Sequence, residues 1–343
     1  MKYIINGKFF TQKITGVQRY AREIINELDK ITQQGEIIIA IPQKCNDIPS
    51  LDNIDVKRIG KLRGLLWEQI DLPLFAKKHN ATIINLCNSA PYFRPDIVTI
   101  HDVKIKAHPE FFSKKFRVWY SILLKREITK SKKIITVSNF SKKELQKYYK
   151  IDNSKIVVIP NSWQHVNRIK YDYNALTKYG LQSKKYYFAM SSFDPNKNFK
   201  WIAEQALKNP SDIFAISGSI NKHVFSNNSS FTFPQNIRLL GYVSDEEAKT
   251  LMKECKAFLF PSIYEGFGIP PLEAMAAGCS NIIVSDIEVM HEIFDEEVLY
   301  VNLNNLNYIF PTSKNSSHFK TLNRYSWKDS AKHLKKVLFT NRF

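Results

Sequence analysis

Short runs rich in Val and Ile recur along the chain, spaced widely enough to leave room for a helix between neighbours. In the first half they fall at residues 3–7 (YIING), 36–42 (EIIIAIP), 81–86 (ATIINL), 96–102 (DIVTIHD), 133–138 (KIITVS) and 155–160 (KIVVIP). Most are apolar almost throughout rather than alternating, which fits strands buried on both faces. Between the first two lies residues 16–31 (GVQRYAREIINELDKI), whose apolar positions repeat at helical spacing and predict an amphipathic helix. Alternating strands and helices predict a parallel, doubly wound sheet. The second half repeats the pattern at residues 186–192, 213–218, 237–242, 257–262 and 281–286. In a chain of 343 residues, two such sheets predict two α/β domains of ordinary size with a cleft between them.

Charge follows a similar division. The net charge of +18 is concentrated: residues 1–160 hold 29 Lys and Arg against 15 Asp and Glu, residues 161–310 hold 13 against 16, and residues 311–343 hold 8 against 1. The change of sign near Pro160, followed by the polar stretch NSWQHVNRIKYDYN, predicts a linker there. The domains are expected at 1–165 and 166–325, with 326–343 as a closing helix (WKDSAKHLKKVLF) that is basic like the first domain. A basic first half suits either a nucleic acid or an anionic membrane. Residues 111–133 (FFSKKFRVWYSILLKREITKSKK) interleave aromatic, aliphatic and basic positions at roughly helical spacing. They fit an interfacial helix or, equally, a core-packed helix with a solvated basic face. No zinc-finger or RNA-recognition signature is present, so nucleic acid is not expected. Hydrophobic content of 44% and charged content of 24% describe a soluble globular protein. No uncharged apolar run is long enough to span a bilayer, and MKYIINGKFF does not read as a signal peptide. Cys45, Cys87, Cys255 and Cys279 form no CxxC pair, so a reducing cytoplasm is expected, without a disulfide frame or zinc site.

The densest chemistry lies in FPSIYEGFGIPPLEAMAAG, where Glu265 and Glu273 stand eight residues apart. An apolar strand runs into a Gly-Phe-Gly turn, and a helix begins at Pro270–Pro271 and stops near Gly278. The turn therefore lies at the carboxyl edge of a sheet, where open α/β sheets bind ligands. Gly266 and Gly268 permit close backbone approach, and a helix start favours a phosphate. Carboxylates only accept hydrogen bonds, so Glu265 and Glu273 suit hydroxyls. A ligand with phosphates between two hydroxyl-bearing ends satisfies both demands.

This segment resembles the E-x7-E signature of retaining GT-B glycosyltransferases of family GT4. TGVQRYAREI (15–24), LLWEQIDLP (65–73), VTIHDVKIKAHPEFF (98–112), VSNFSKKEL (137–145), VIPN (158–161), DPNKN (194–198) and LLGYVSDEE (239–247) are similar, in order, to a subgroup of mannosyltransferases that build O-antigen polysaccharide. The resemblance implies a GT-B fold: two Rossmann-like domains, with a last helix crossing back to the first. It implies that Glu265 contacts the donor sugar, that Gly266, Phe267 and Gly268 cover the diphosphate, and that Glu273 holds the ribose. Gly16 would face the diphosphate, His101 would lie beside the donor sugar, and Lys197 would be the cation for the leaving group. Many members carry a Gly-Arg pair where this chain has Ser191 and Ser192, so Ser192 is left to donate a hydrogen bond. Arg19, Glu68 and Asn88 are acceptor-side candidates; Trp67, in the same loop as Glu68, reads better as core.

The implied reaction is a retaining, metal-independent hexosyl transfer with no cofactor beyond the nucleotide sugar. GDP-mannose ranks first, with dTDP-rhamnose or a UDP-sugar behind. The implied acceptor is a polyprenyl-diphosphate-linked saccharide, reached from the inner face of the cytoplasmic membrane in lipopolysaccharide synthesis. Two other readings remain open at this stage. One is nucleotide-sugar epimerisation or hydrolysis on the same fold; the other is a basic binding module with a vestigial sugar site.

Overall fold

A computed structural model describes residues 2–45, 47–192, 194–218, 234–305, 308–310 and 319–340. The chain divides into two compact units, Met1–Ser162 with Ser326–Phe343, and Trp163–Tyr325.

The first unit is built on β1 (Lys2–Asn6), β2 (Ile37–Ile41), β3 (Asp55–Arg58), β4 (Ala81–Asn85), β5 (Ile97–Thr99), β6 (Lys133–Thr136) and β7 (Ile156–Val158). They form one all-parallel sheet in the order β3-β2-β1-β4-β5-β6-β7. Succession along the chain reverses direction between β1 and β4, and a crevice opens at the carboxyl ends of strands at such a reversal. β1, β2 and β4 carry almost wholly buried runs because helices cover both faces of the sheet. The sequence pattern does not show β3. Its four residues (DVKR) include one apolar side chain and lie at the sheet edge, where little burial is demanded. Helix α1 (Gly16–Asp29) buries Tyr20, Ile24, Ile25 and Leu28 along one stripe, as its periodicity predicts. Helix α2 (Lys114–Lys130) occupies the middle of the basic 111–133 stretch.

The second unit has β8 (Tyr186–Met190), β9 (Ile213–Ser217), β10 (Ile237–Gly241), β11 (Ala257–Phe260), β12 (Ile282–Ser285) and β13 (Leu299–Val301), parallel in the order β10-β9-β8-β11-β12-β13. The reversal lies between β8 and β11. β13 (LYV) is a half-buried edge strand that the sequence pattern does not show. The core on one face joins Tyr187, Phe199, Trp201, Ile202, Phe214 and Leu259, with Phe310 against Tyr187 at 4.3 Å.

Two expectations need correction. The polar stretch after Pro160, within which the units divide after Ser162, is not irregular throughout. Gln164–Arg168 forms a 3-10 turn with His165 and Val166 buried, fixed by Trp163 Nε1 donating to Leu322 O (2.7 Å) and Gln164 Nε2 to Tyr325 O (2.8 Å). The segment around Trp67 and Glu68 is not a loop either. Trp67–Asp71 makes one π-helical turn, and Trp67 is core, its Nε1 donating to Ile59 O at 3.0 Å.

The C-terminal helix, Trp327–Thr340, packs on α1 within the first unit. Trp327 meets Tyr20 at 6.0 Å, Ser330 Oγ donates to Pro160 O at 2.8 Å, and Tyr3 donates to Leu338 O.

Candidate active site

In the second unit the chemistry gathers at the β8/β11 reversal. β8 ends at Met190 and leads to a 3-10 turn, Pro195–Lys197, while β11 ends at Phe260 and leads to the Glu265 turn. Buried Asn196 ties the two together: its carbonyl accepts Ile263 N–H (2.7 Å) and its Nδ2 donates to Tyr264 O (3.3 Å). Lys197 is thereby held where its ammonium pairs with Glu265 and lies 5.1 Å from the Phe260 ring centre. Both side chains keep a modest solvent-facing portion, 17% and 15%. An ammonium has three donors, so this pairing leaves Lys197 able to turn toward a phosphate.

Gly268, at φ +107°, caps the helix α3 (Ile269–Ala276). A Cβ there would come within 3.1 Å of Met290 Cε and 3.3 Å of Phe294 Cε2, so the conformation calls for glycine and a side chain would also press on both neighbours. Pro270 and Pro271 occupy the first turn and carry no N–H. The helix start therefore offers fewer N–H donors than an ordinary one. The Phe267 ring is 3% exposed and packs edge-on against Tyr325 at 5.1 Å. Only its backbone can meet a ligand.

Glu273, one turn into α3, lies 2.7 Å from Nε2 of buried His165. A carboxylate accepts, so this ring nitrogen carries the proton and fixes one oxygen of Glu273 while the side chain stays 16% exposed. The sequence reading misses His165 and Asn196. They act on partners 108 and 68 residues away, and no local spacing reports such contacts. Ser192 is exposed and its hydroxyl donates to Asp194 Oδ2 at 3.1 Å, so in this structure it is engaged within its own loop.

In the first unit, His101 follows β5 and is 7% exposed. Its Nε2 lies 3.0 Å from Leu86 O, an acceptor, which places the ring proton on Nε2. Burial pushes its pKa down, so the ring is neutral at pH 7 and Nδ1 is a hydrogen-bond acceptor. Tyr20 packs edge-on against it at 4.9 Å, and Asn88 Oδ1 accepts the His101 N–H at 2.8 Å. Asn88 thus positions His101, whatever else it meets. Gly16 is the exposed first residue of α1 and Arg19 follows half-buried; Gln18 Oε1 accepts the Thr15 N–H at 3.2 Å.

Glu68 departs from the sequence expectation. It is fully buried, paired with Lys8, and accepts Asn6 Nδ2 (2.8 Å) and Ser89 Oγ (2.9 Å). With its oxygens so occupied, it is not an open acceptor for a ligand hydroxyl.

Helix α2 carries features of both readings of residues 111–133: Leu124 and Ile128 join the core, and the opposite face is exposed. Leu124, Glu127 and Ile128 face inward. The outward face carries Val118, Trp119 and Ile122, exposed by 59%, 49% and 56%, among exposed Lys114, Lys115, Lys125 and Lys130. It is a mixed apolar and basic surface rather than a solvated basic face. Among the described residues, no helix is long and apolar enough to cross a membrane, and no three His, Cys, Asp or Glu side chains group as metal ligands.

Comparison with known proteins agrees with this arrangement. Residues 14–162 match the family described as Glycosyltransferase Family 4, and residues 175–318 match Glycosyl transferases group 1. The O-antigen chain mannosyltransferase RfbU of Salmonella typhimurium is 28% identical over 319 residues, covering 87% of this chain and 86% of the relative. The O-antigen chain mannosyltransferase B of Escherichia coli is 25% identical over 361 residues, covering 96% and 93%. Among solved structures, sucrose-phosphate synthase from Thermosynechococcus elongatus superposes with a TM-score of 0.77 at 13% identity, covering 99% of both chains. Anabaena Alr3699/HepE, in complex with UDP and glucose, does so with 0.71 at 14%, covering 99% of this chain and all of that one. These structural likenesses establish the GT-B fold of two Rossmann-like units.

Proposed function

We propose that this chain, which belongs to the group 1, family 4 glycosyltransferases, moves a hexose or deoxyhexose from a nucleotide-diphosphate sugar to a saccharide hydroxyl with retention at the anomeric carbon. The observation that carries the reading is the pair of carboxylates flanking the Gly266–Gly268 turn. Glu265 is held beside Lys197 and Glu273 beside His165, with backbone amides between them. Hydroxyl acceptors at two ends and anion donors in the middle are the complement of a sugar–diphosphate–ribose ligand.

In this reading Glu273 takes the ribose hydroxyls and Glu265 the donor-sugar hydroxyls. Lys197 and the Gly266–Ile269 amides stabilise the charge that develops on the leaving diphosphate, and preorganised donors of this kind are usually the largest catalytic contribution. Ser192 joins once it leaves Asp194. The bond from the anomeric carbon to the phosphate oxygen breaks as the acceptor oxygen bonds to the same face, and the acceptor proton passes to the leaving phosphate. Glu265, paired with Lys197, is read here as a hydroxyl acceptor and not as a nucleophile for double inversion. No metal is assigned a role.

GDP-mannose is the favoured donor, supported by the mannosyltransferase relatives; dTDP-rhamnose and UDP-sugars rank below it. The favoured acceptor is a lipid-linked saccharide of cell-surface polysaccharide synthesis, with Arg19 and Asn88 on the acceptor side. The outward face of α2 supports contact with an anionic membrane: Trp119 and Ile122 suit the interface and the lysines suit head groups. Incubation with GDP-mannose should raise the unfolding temperature, because a ligand of the native state stabilises it. Turnover should also require a saccharide acceptor. Rapid consumption of donor alone would favour hydrolysis or epimerisation, and absence of any nucleotide-sugar shift would refute the donor site. Flotation with phosphatidylglycerol vesicles but not phosphatidylcholine vesicles is expected.

A further inference from the structure

The buried cluster around Glu68 has features that stability alone does not explain. It stands where β1 and β4 end, at the reversal of the first sheet. Asn6, the last residue of β1, donates to both Glu68 Oε1 (2.8 Å) and Asn85 Oδ1 (3.0 Å), and Asn85 is the last residue of β4. An ion pair whose carboxylate is fully buried is weak support for a fold, since withdrawing charge from water offsets much of the attraction. Buried charge at a sheet crevice is more often kept for binding.

The shape of the adjoining space says what would bind. Asn6, Lys8, Phe9, Gln12, Glu68 and Cys87 line a cavity of about 10 Å³, room for about one water molecule. It is too small for a sugar ring or a phosphate, and the right size for one hydroxyl. Lys8 and Glu68 cancel in charge, which disfavours an anion. Glu68 is already occupied by three donors. Lys8 differs: its side chain is 14% exposed, and among the described residues Glu68 alone takes one of its three ammonium protons. Buried Phe9, its ring tilted against Phe10 at 4.2 Å, adds an apolar wall.

We propose that this pocket reads a single hydroxyl of a neutral saccharide, with Lys8 as the hydrogen-bond donor and Glu68, Asn6 and Ser89 as the frame that aims it. The proposal rests on the glycosyltransferase reading and names its acceptor-side specificity residue. Lys8 acts on binding and touches no breaking bond. The hydroxyl displaces the water that fits the cavity, so a ligand lacking it leaves the ammonium under-satisfied.

The test compares wild type with Lys8→Met/Glu68→Gln. The double change removes both charges, so no buried carboxylate is left unpaired; Lys8→Arg serves as a second variant that keeps the charge and changes the geometry. Methyl α-glycosides of mannose, glucose, galactose and rhamnose are titrated by calorimetry, and the best binder is then compared with its monodeoxy forms. In wild type, one deoxy position should weaken binding about tenfold to a hundredfold, the range for a hydrogen bond to a charged group. In the double variant the parent glycoside should weaken by a similar factor, and the penalty at that deoxy position should vanish. Lys8→Arg should bind the parent weakly while folding normally. The proposal is overturned if no methyl glycoside binds wild type, if all deoxy forms bind alike, or if the deoxy penalty survives unchanged in the double variant. Nucleotide-sugar thermal shifts on the same proteins separate the two readings: their loss from wild type would remove the donor site, while their retention with an unchanged deoxy pattern would remove only the role of Lys8.

Discussion

Glu127 offers a quantitative check on the first unit. It lies on the inward side of α2, 6% exposed, and accepts the Ala90 N–H at 3.0 Å, thereby holding the loop that carries Cys87, Asn88 and Ser89. Burial pushes its pKa from an ordinary 4.5 up to about 8, with the nearby Glu68 charge adding to the effect. The unfolded chain therefore releases this proton near pH 4.5, whereas the folded chain keeps it to about pH 8. The associated stability is fully present below pH 4.5 and drains away as pH rises toward 8. At ~1.4 kcal/mol per pH unit, the loss between pH 6 and pH 8 is about 2 kcal/mol. Glu127→Gln keeps the shape and the acceptor for Ala90 but cannot ionise. Urea unfolding at pH 6 and pH 8 should show the wild-type midpoint of the first unit falling by roughly 1 M for an m-value near 2 kcal/mol/M, and the variant's falling much less. Other titrating groups are common to both proteins and cancel in the difference. Equal midpoint shifts in the two proteins would refute the buried, protonated state of Glu127.

Three further outcomes are expected. Glu273→Gln should weaken nucleotide-sugar binding about tenfold to a hundredfold, as lost hydrogen bonds to a charged group do, with the unfolding curve little changed; calorimetry with GDP-mannose decides it, and unaltered affinity would contradict the ribose role. Gly268→Ala should cost about 1–2 kcal/mol from its positive φ alone, plus crowding against Met290 and Phe294, and lower the melting temperature of the second unit by several degrees. Prolonged treatment with EDTA should leave transfer activity unchanged; loss restored by a divalent cation would show that the charge on the leaving group is stabilised by metal rather than by Lys197 and backbone amides.

Much of the architecture is legible in the sequence because burial on both faces of a parallel sheet leaves a local mark. The apolar runs around Ile4, Ile39, Ile83 and Phe258 each report a strand without reference to any other part of the chain. β3 and β13 escape because both lie at sheet edges and are only partly buried, so neither needs a fully buried run. The candidate site of the second unit is partly legible for a related reason: Glu265, Gly268 and Glu273 sit on one continuous strand–turn–helix. Their supports come from elsewhere, Lys197 and Asn196 from the loop after β8 and His165 from the stretch that reads as linker. Glu68 shows the converse. Its type and position suggest an open hydroxyl acceptor, and only the contacts with Lys8, Asn6 and Ser89 reveal that its oxygens are already taken.

The docking of Trp327–Thr340 onto α1 also sets an order of assembly. Met1–Ser162 has no complete core of its own, because Tyr20 and Pro160 find partners on a helix that lies beyond the whole second unit in the chain. As the polypeptide leaves the ribosome, the second unit has all of its residues while the first still lacks its last layer. The N-terminal half therefore depends for completion on a stretch made after the second unit, and a message cut short just after Tyr325 would yield an intact second unit attached to an unfinished partner.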